Sequence, residues 1–391
     1  MAEWSKTQLS DILVDKGYIR GPFGSALKRG DMKDNGVPVY EQQHAIYDSR
    51  CFRYYIDEQK FVEMKRFQVN TDDLIISCSG TVGKVSIIRD DDPKGIISQA
   101  LLLLRVDKNK ILPLYLKYFF SSRDGYNAIV SRSSGSVQVN IAKRDVIEQI
   151  PLMLPKIETQ RKIVGVLNSI DKKIEENERI NNNLEQQAQA IYQQMFIDNA
   201  RSNWAEGTLS DIADITMGQS PSGSSYNEDG TGTIFFQGRA EFGFRFPSVR
   251  LYTTEPKRMA RSNDTLMSVR APVGDLNVAH TDCCIGRGLA AIHSKNNHQS
   301  FVLYTMFSLK KQLDVFNGEG TVFGSINRNS LNEMPILIPS SEKLDEFEAL
   351  VSPMDAAIRN NYDEICRLEQ LRDSLLPQLM SGELDVSDID I

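Results

Sequence analysis

Leu9-Ser10-Asp11-Ile12 recurs as Leu209-Ser210-Asp211-Ile212, and Trp4, five positions upstream, recurs as Trp204, so both features return after 200 residues. Shared composition does not produce equal spacing of this kind, whereas duplication of a segment does. The correspondence continues along the chain. Asp72-Asp73-Leu74-Ile75-Ile76-Ser77, followed by Gly80-Thr81-Val82-Gly83, matches Asn263-Asp264-Thr265-Leu266-Met267-Ser268, followed by Ala271-Pro272-Val273-Gly274, at an offset of 191. Gly135-Ser136-Val137-Gln138 matches Gly320-Thr321-Val322-Phe323 at 185, and Ile150-Pro151 with Pro155 matches Met334-Pro335 with Pro339 at 184. The offset shrinks while the order holds, as expected of two copies of one module that differ in their surface loops.

Within the first copy, residues 74–77, 85–88 and 101–106 are short apolar runs of strand length, and 112–121 reads as a helix begun near a proline. In the second, 234–237, 266–269 and 289–292 are the candidate strands and 301–310 the matching helix. Each domain is therefore expected to be mixed α/β (α+β), with a strand order that the sequence leaves open.

After Pro155 the period changes. Ile163, Leu167, Ile170, Ile174, Asn177, Asn181, Leu184, Ala188, Ile191 and Met195 advance by alternating steps of four and three, the spacing of a coiled-coil seam. Adding 184 gives Phe347, Val351, Met354, Ile358, Asn361, Ile365, Leu368, Arg372, Leu375 and Leu379. A continuous helix over 156–196 would reach about 60 Å, so the expected partner of each seam is the other one, in an antiparallel pair, with docking of another protein on the same residues as the alternative. The amides of Asn177, Asn181 and Asn361 fall where apolar side chains pack best, a device that fixes register at some cost in stability. Pro353 is expected to delay the second helix until about Met354.

Composition bounds what such a chain can do. Its 391 residues exceed the usual size of one core, and 41% hydrophobic with 25% charged residues describes a folded protein. Neither a basic segment leading into an apolar run nor about 18 consecutive apolar residues occurs, so a cytoplasmic chain is expected. Five cysteines, at 51, 78, 283, 284 and 366, do not form a disulfide framework. The net charge of −7 is uneven: +3 over 1–154, −1 over 155–200, 0 over 201–339 and −9 over 340–391. Acidity thus sits in the last segment, leaving the domains free to present basic faces.

Signatures of chemistry are missing. Gly80-Thr81-Val82-Gly83-Lys84-Val85-Ser86 has Cys78 and Val85 where a phosphate loop needs Gly and Ser or Thr, and no Gly-x-Gly-x-x-Gly opens a helix. His280, Cys283, Cys284 and His293 lack the paired spacing of a zinc site and have no counterpart in the first copy. Ser77-Cys78-Ser79-Gly80 has no base beside it in the sequence. The chain reads as a binding device.

Residues 151–164, with Pro151-Leu152, Leu154-Pro155, Glu158, Gln160-Arg161 and Ile163-Val164, and the run Leu375-Leu376-Pro377-Gln378-Leu379-Met380-Ser381-Gly382-Glu383-Leu384 resemble the specificity subunits of type I restriction-modification enzymes. The resemblance spans the whole chain. It implies a first target recognition domain at 1–154, a first helical spacer at 155–200, a second recognition domain at 201–339, and a second helical region with acidic tail at 340–391. Glu342-Lys343-Leu344-Asp345 departs from Glu158-Thr159-Gln160-Arg161.

The family implies a subunit with no catalytic centre, cofactor or metal of its own, whose two domains each read half of a split double-stranded DNA target while antiparallel helices hold them apart. Its partners would be two adenine methyltransferase subunits, carrying S-adenosylmethionine, and the translocating restriction subunits. Duplication suits this task, because one chain then matches the approximate two-fold symmetry of a duplex with two different readers. Candidate DNA contacts are Lys28, Arg29, Lys33, Lys84, Arg132, Gln138 and Asn140 in the first domain, and Arg239, Arg245, Arg250, Arg270 and Arg287 in the second. Phe242, Phe244, Phe246 and Tyr252 lie among them. The alternative is a two-domain protein-binding adaptor with a helical ruler.

Overall fold

The computed structural model describes residues 4–23, 26–133, 139–201, 204–318 and 324–388. The chain divides into two compact units, Met1–Glu176 with Glu364–Ile391, and Asn177–Asp363. Each therefore contains one α/β domain and a portion of both long helices.

In the first unit the domain is closed by its ends. Strand Trp4–Gln8 pairs antiparallel with Pro151–Pro155, with Trp4 opposite Pro155. The one-turn helix Leu9–Ile12 follows, and its Asp11 carboxylate accepts the Gln8 backbone N–H at 3.0 Å. A four-stranded antiparallel sheet runs in the order Leu13–Arg20, Leu101–Val106, Leu74–Ser77, Val85–Ile87. A smaller sheet orders Tyr55–Ile56, Val37–Tyr40, Ile96–Ile97, and its last pair is parallel.

Burial on both faces explains the uninterrupted run Leu101-Leu102-Leu103-Leu104. Leu102 and Leu104 join Tyr115, Leu116, Ile163 and Leu167 in one cluster, while Leu101 and Leu103 join Ile19, Tyr40 and Ile75 in another. Helix Pro113–Ser121 begins with proline in its first turn, where the missing N–H costs nothing.

The second unit repeats the plan. Ala205–Thr208 pairs with Pro335–Ile338, and the four-stranded order is Ala213–Met217, Leu289–Ser294, Thr265–Ser268, Leu276–Val278. Here the second sheet has five strands, again with one parallel pair, Phe235 opposite Cys284. Expected strands therefore appear within a few residues of their sequence bounds, and the two domains share their principal sheet order.

Ile157–Tyr192 is one α-helix, ending in a π-helical turn, Gln193–Asp198. The seam spacing predicts α-helix through residue 196; the wider turn instead comes where Tyr192 and Phe196 both face inward, with ring centroids 5.2 Å apart. Ser341–Ser381 is also a single helix and runs through Pro353, correcting the expected start near Met354. Phe347 and Val351, both fully buried in the second unit's core, anchor the turns before the proline and hold them helical.

In each unit the helix portions lie antiparallel. In the first, Ile163 and Leu167 meet Leu376, Leu379 and Met380, and Ile170 and Ile174 meet Ile365 with Leu368 and Leu375. In the second, the Asn181 amide donates to the Ile358 carbonyl at 3.4 Å and the Asn361 amide to Asn181 Oδ1 at 2.9 Å. Asn177 and Asn181 are 1% and 3% exposed, so these amides occupy the seam itself. Leu184 and Ile191 are half-buried against the second unit's core. The seam positions are thus used within the chain.

Candidate nucleic-acid interface

Both principal sheets end in the same kind of loop. After Leu74–Ser77, Gly83 donates to the Ser77 carbonyl at 2.9 Å and the Lys84 N–H to Ser77 Oγ at 3.0 Å. After Thr265–Ser268, Gly274 donates to the Ser268 carbonyl at 2.9 Å and the Asp275 N–H to Ser268 Oγ at 2.9 Å. Gly83 and Gly274 take φ values of 87° and 84°, a left-handed conformation that a side chain would strain. Each loop is stitched to a distant segment, Ser79 to Asn140 and Arg270 to Ser325. Equivalent frames therefore present different side chains.

In the first domain Lys28, Arg29, Lys33 and Lys84 are exposed on anchored backbone. The Lys28 N–H donates to Asp31 at 2.7 Å, Lys33 pairs its backbone with Tyr55, and the Lys84 ammonium lies 5.0 Å from the Tyr126 ring centroid. Asn140 is exposed and accepts from Ser79 Oγ at 2.9 Å. Arg132 is half-buried and donates to the Ala128 carbonyl, while Gln138, like the paired stretches 135–138 and 320–323, lies outside the described residues.

In the second domain Arg270 and Arg287 are exposed with no ion-pair partner among the described residues. Arg239 pairs with Asp275, and Arg250 with Glu228 and Glu241 at 3.4 and 2.9 Å. Arg245 is a correction: its side chain is 4% exposed and its guanidinium contacts Glu185, Asp355 and the Tyr304 hydroxyl at 3.0, 3.2 and 3.1 Å. Phe246 is buried beside it, Phe242 is half-buried, and Phe244 remains exposed.

Two further residues at these frames carry no local signal in the sequence. Gln42 Oε1 accepts from the Cys78 and Ser79 N–H groups at 3.3 and 3.0 Å, fixing the first loop. Arg20 lies 5.6 Å from the Phe23 ring centroid, and its Nη1 is buried without a hydrogen-bond acceptor.

The histidines and cysteines weighed as chemical groups are occupied elsewhere. His280 pairs with Asp363 at 2.7 Å, His293 with Asp264 at 2.6 Å, and Cys283 and Cys284 are buried in a strand. Among the described residues no group of three or more His, Cys, Asp or Glu side chains is placed for a metal ion. Burial pushes the Cys78 thiol up to about 12, which leaves it protonated and inert. Among the described residues no helix is long and apolar enough to cross a membrane.

Two similar domains with differently furnished loops, each resting on portions of a shared helix pair, define a two-module binding protein. The chain belongs to the type I restriction-modification DNA specificity family, whose model matches residues 1–186 and again 201–369. It is 28% identical to the putative type I restriction enzyme MjaX specificity subunit of Methanocaldococcus jannaschii, covering 98% of this chain and 94% of that one. With the HindI specificity subunit of Haemophilus influenzae it shares 21% identity, over 77% and 84% of the two chains. The type I restriction-modification S subunit of M. genitalium has the same fold, with a TM-score of 0.61 at 16% identity over 97% of this chain and 96% of that one. The protein is thus a DNA-recognition subunit of a type I restriction-modification complex and is not itself the catalyst.

Proposed function

We propose that domains 1–154 and 201–339 each read one half of a split duplex target, and that the helices within 155–200 and 340–391 set the distance between the halves. Two methyltransferase subunits, holding S-adenosylmethionine for adenine methylation, complete the modifying complex, and translocating restriction subunits join it for cleavage. The observation that carries this reading is the matched loop frame bearing unmatched side chains: Ser79 and Asn140 in one domain, Arg270 and Ser325 in the other. A shared frame with exchanged tips suits two different half-sites approached in the same way.

Of the candidate cations, Lys28, Arg29, Lys33, Lys84, Arg270 and Arg287 are exposed without a carboxylate partner among the described residues and so open to phosphates or base edges, whereas Arg239 and Arg250 must first give up carboxylate partners. Ile174 and Leu184 pack inside the chain, so the partner subunits are assigned to other faces of the helices.

The test is exchange of residues 201–339 for the corresponding domain of a relative with a different target, followed by competitive binding of the reconstituted complex to duplexes varied in one half at a time. One half of the preferred sequence should change, with mismatched positions each costing about 1–3 kcal/mol, and the spacing should stay. Preferences that move in both halves together would refute the modular reading.

A further inference from the structure

In both units a tyrosine of the domain, an aspartate of a long helix and an arginine form one node. In the first, the Tyr118 hydroxyl donates to Asp171 at 2.7 Å and Arg372 Nη1 lies 3.2 Å from the same carboxylate. In the second, the Tyr304 hydroxyl donates to Asp355 at 2.9 Å and Arg245 Nη1 lies 3.2 Å away. Asp171 and Asp355 are related by the 184-residue offset of the helices.

The arginines, however, differ in origin. Arg372 belongs to the other helix, so the first node joins helix to helix as well as helix to domain. Arg245 belongs to the domain, in a segment whose backbone is tied to strand Leu276–Val278 by the Val278 N–H at 2.8 Å and by the Asn277 amide on the Gly243 carbonyl at 2.9 Å. Its guanidinium reaches Asp355 on one long helix and Glu185 on the other.

A ruler transmits distance only as well as its joints are rigid. A buried guanidinium fork fixed at several points is more directional than apolar packing, which slides. Burial here is also costly: Arg245 Nε and Glu185 Oε1 have no hydrogen-bond partner, the 3.0 Å contact of that oxygen being an ion pair without an aligned N–H. Apolar residues of similar volume would often hold such a site at no loss of stability.

We propose that Arg245 is a positioning residue for spacer length: it locks the second recognition domain onto both helices, so that the complex discriminates among distances between half-sites. Arg245 itself touches no DNA. The proposal rests on the bipartite reading above.

The test uses the complex reconstituted with its methyltransferase subunits and the variant Arg245→Met/Glu185→Gln/Asp355→Asn, which leaves no charge at the node and in which the amide oxygen at 355 still accepts from Tyr304. Competition binding compares the preferred duplex with duplexes one base pair longer or shorter in the spacer, and separately with single-base changes in the second half-site. Discrimination among spacers should fall by about tenfold, equivalent to about 1.4 kcal/mol, while base preferences and the melting temperature stay. Unchanged spacer discrimination overturns the proposal, as does loss of base preference with spacing intact. If that variant does not fold, Arg245→Lys, which keeps the charge but loses the fork, is measured for the same ratio: a fall supports the lock and an unchanged ratio overturns it. Wild-type complex that recognises no split target would refute the functional reading itself, a separate result.

Discussion

At equivalent places the two modules keep one half of an interaction and exchange the other. Before each central strand a left-handed residue, Asp72 or Asn263 at φ 74° and 73°, leads into a buried aspartate. That aspartate closes its own turn, Asp73 accepting the Asn70 N–H at 2.7 Å and Asp264 the Arg261 N–H at 2.8 Å. The partner on the neighbouring strand differs: Arg105 forks onto Asp73 at 2.6 and 2.8 Å, whereas His293 meets Asp264 through one nitrogen at 2.6 Å. In both modules the same carboxylate satisfies a backbone donor, while the side chain that meets it from the neighbouring strand is a guanidinium in one and an imidazole in the other.

The largest effect is expected from removing the side chains that meet these aspartates. Arg105→Gln leaves the Asp73 carboxylate, 2% exposed, without its charge partner and should destabilise the protein by about 3 kcal/mol, the low end for such a pair because Arg105 is itself about one-third exposed. His293→Gln, at a side chain 38% exposed, should cost about 1 kcal/mol. Denaturation midpoints of the two variants measure the contrast, and equal losses would mean that the modules do not differ here.

The pH dependence has a definite sign. Burial holds the Asp73 carboxyl above the usual carboxylate range, and without the opposing pull of Arg105 it moves higher. A raised folded value means that protonation favours the folded state. The Arg105→Gln deficit should therefore be full above that raised value and shrink as pH falls through it towards the ordinary carboxylate range.

A smaller contrast lies at the start of the helices. Gln160, fully buried, accepts the Leu112 N–H at 2.9 Å and donates to the Lys110 and Pro155 carbonyls at 3.2 and 2.9 Å. Its counterpart, 184 residues on, is Leu344, buried in the second unit's core. Gln160→Leu should cost about 2 kcal/mol by orphaning three backbone groups, although the same leucine serves well at 344. Chemical denaturation would show it, and a neutral result would mean that water satisfies those groups.

Sequence carries the features that depend on local period: the repeat, the seam from Ile163 to Leu379, and strands such as Leu101–Val106. It carries less where long-range packing decides. Nothing near Arg245 in the chain distinguishes it from Arg250, yet one is buried on Glu185 and Asp355 and the other exposed on Glu228 and Glu241. Pro353 reads as a helix start because its own ring forbids a hydrogen bond, and the residues that override it, Phe347 and Val351, act through contacts with a domain core. Gln160 is visible as part of a family motif, but its role as a three-way backbone clamp is not.

The smallest effect on stability is expected at the seam amides, and it separates stability from register. Asn181 and Asn361 bond to each other, and Asn181 also reaches the Ile358 carbonyl, so the pair is satisfied only when these two helix turns stand opposite one another. Elsewhere the seam is built from aliphatic side chains such as Ile170, Ile174 and Ile365, which would pack nearly as well after a slip of one heptad. Asn181→Leu/Asn361→Leu removes both partners together and leaves neither orphaned. Its unfolding free energy should therefore change by less than about 1 kcal/mol. Cysteines placed at 174 and 365 in that background should then cross-link less completely than in a chain that keeps the amides, because part of the population pairs out of register. Complete cross-linking in both would assign register to the domains rather than to the asparagines.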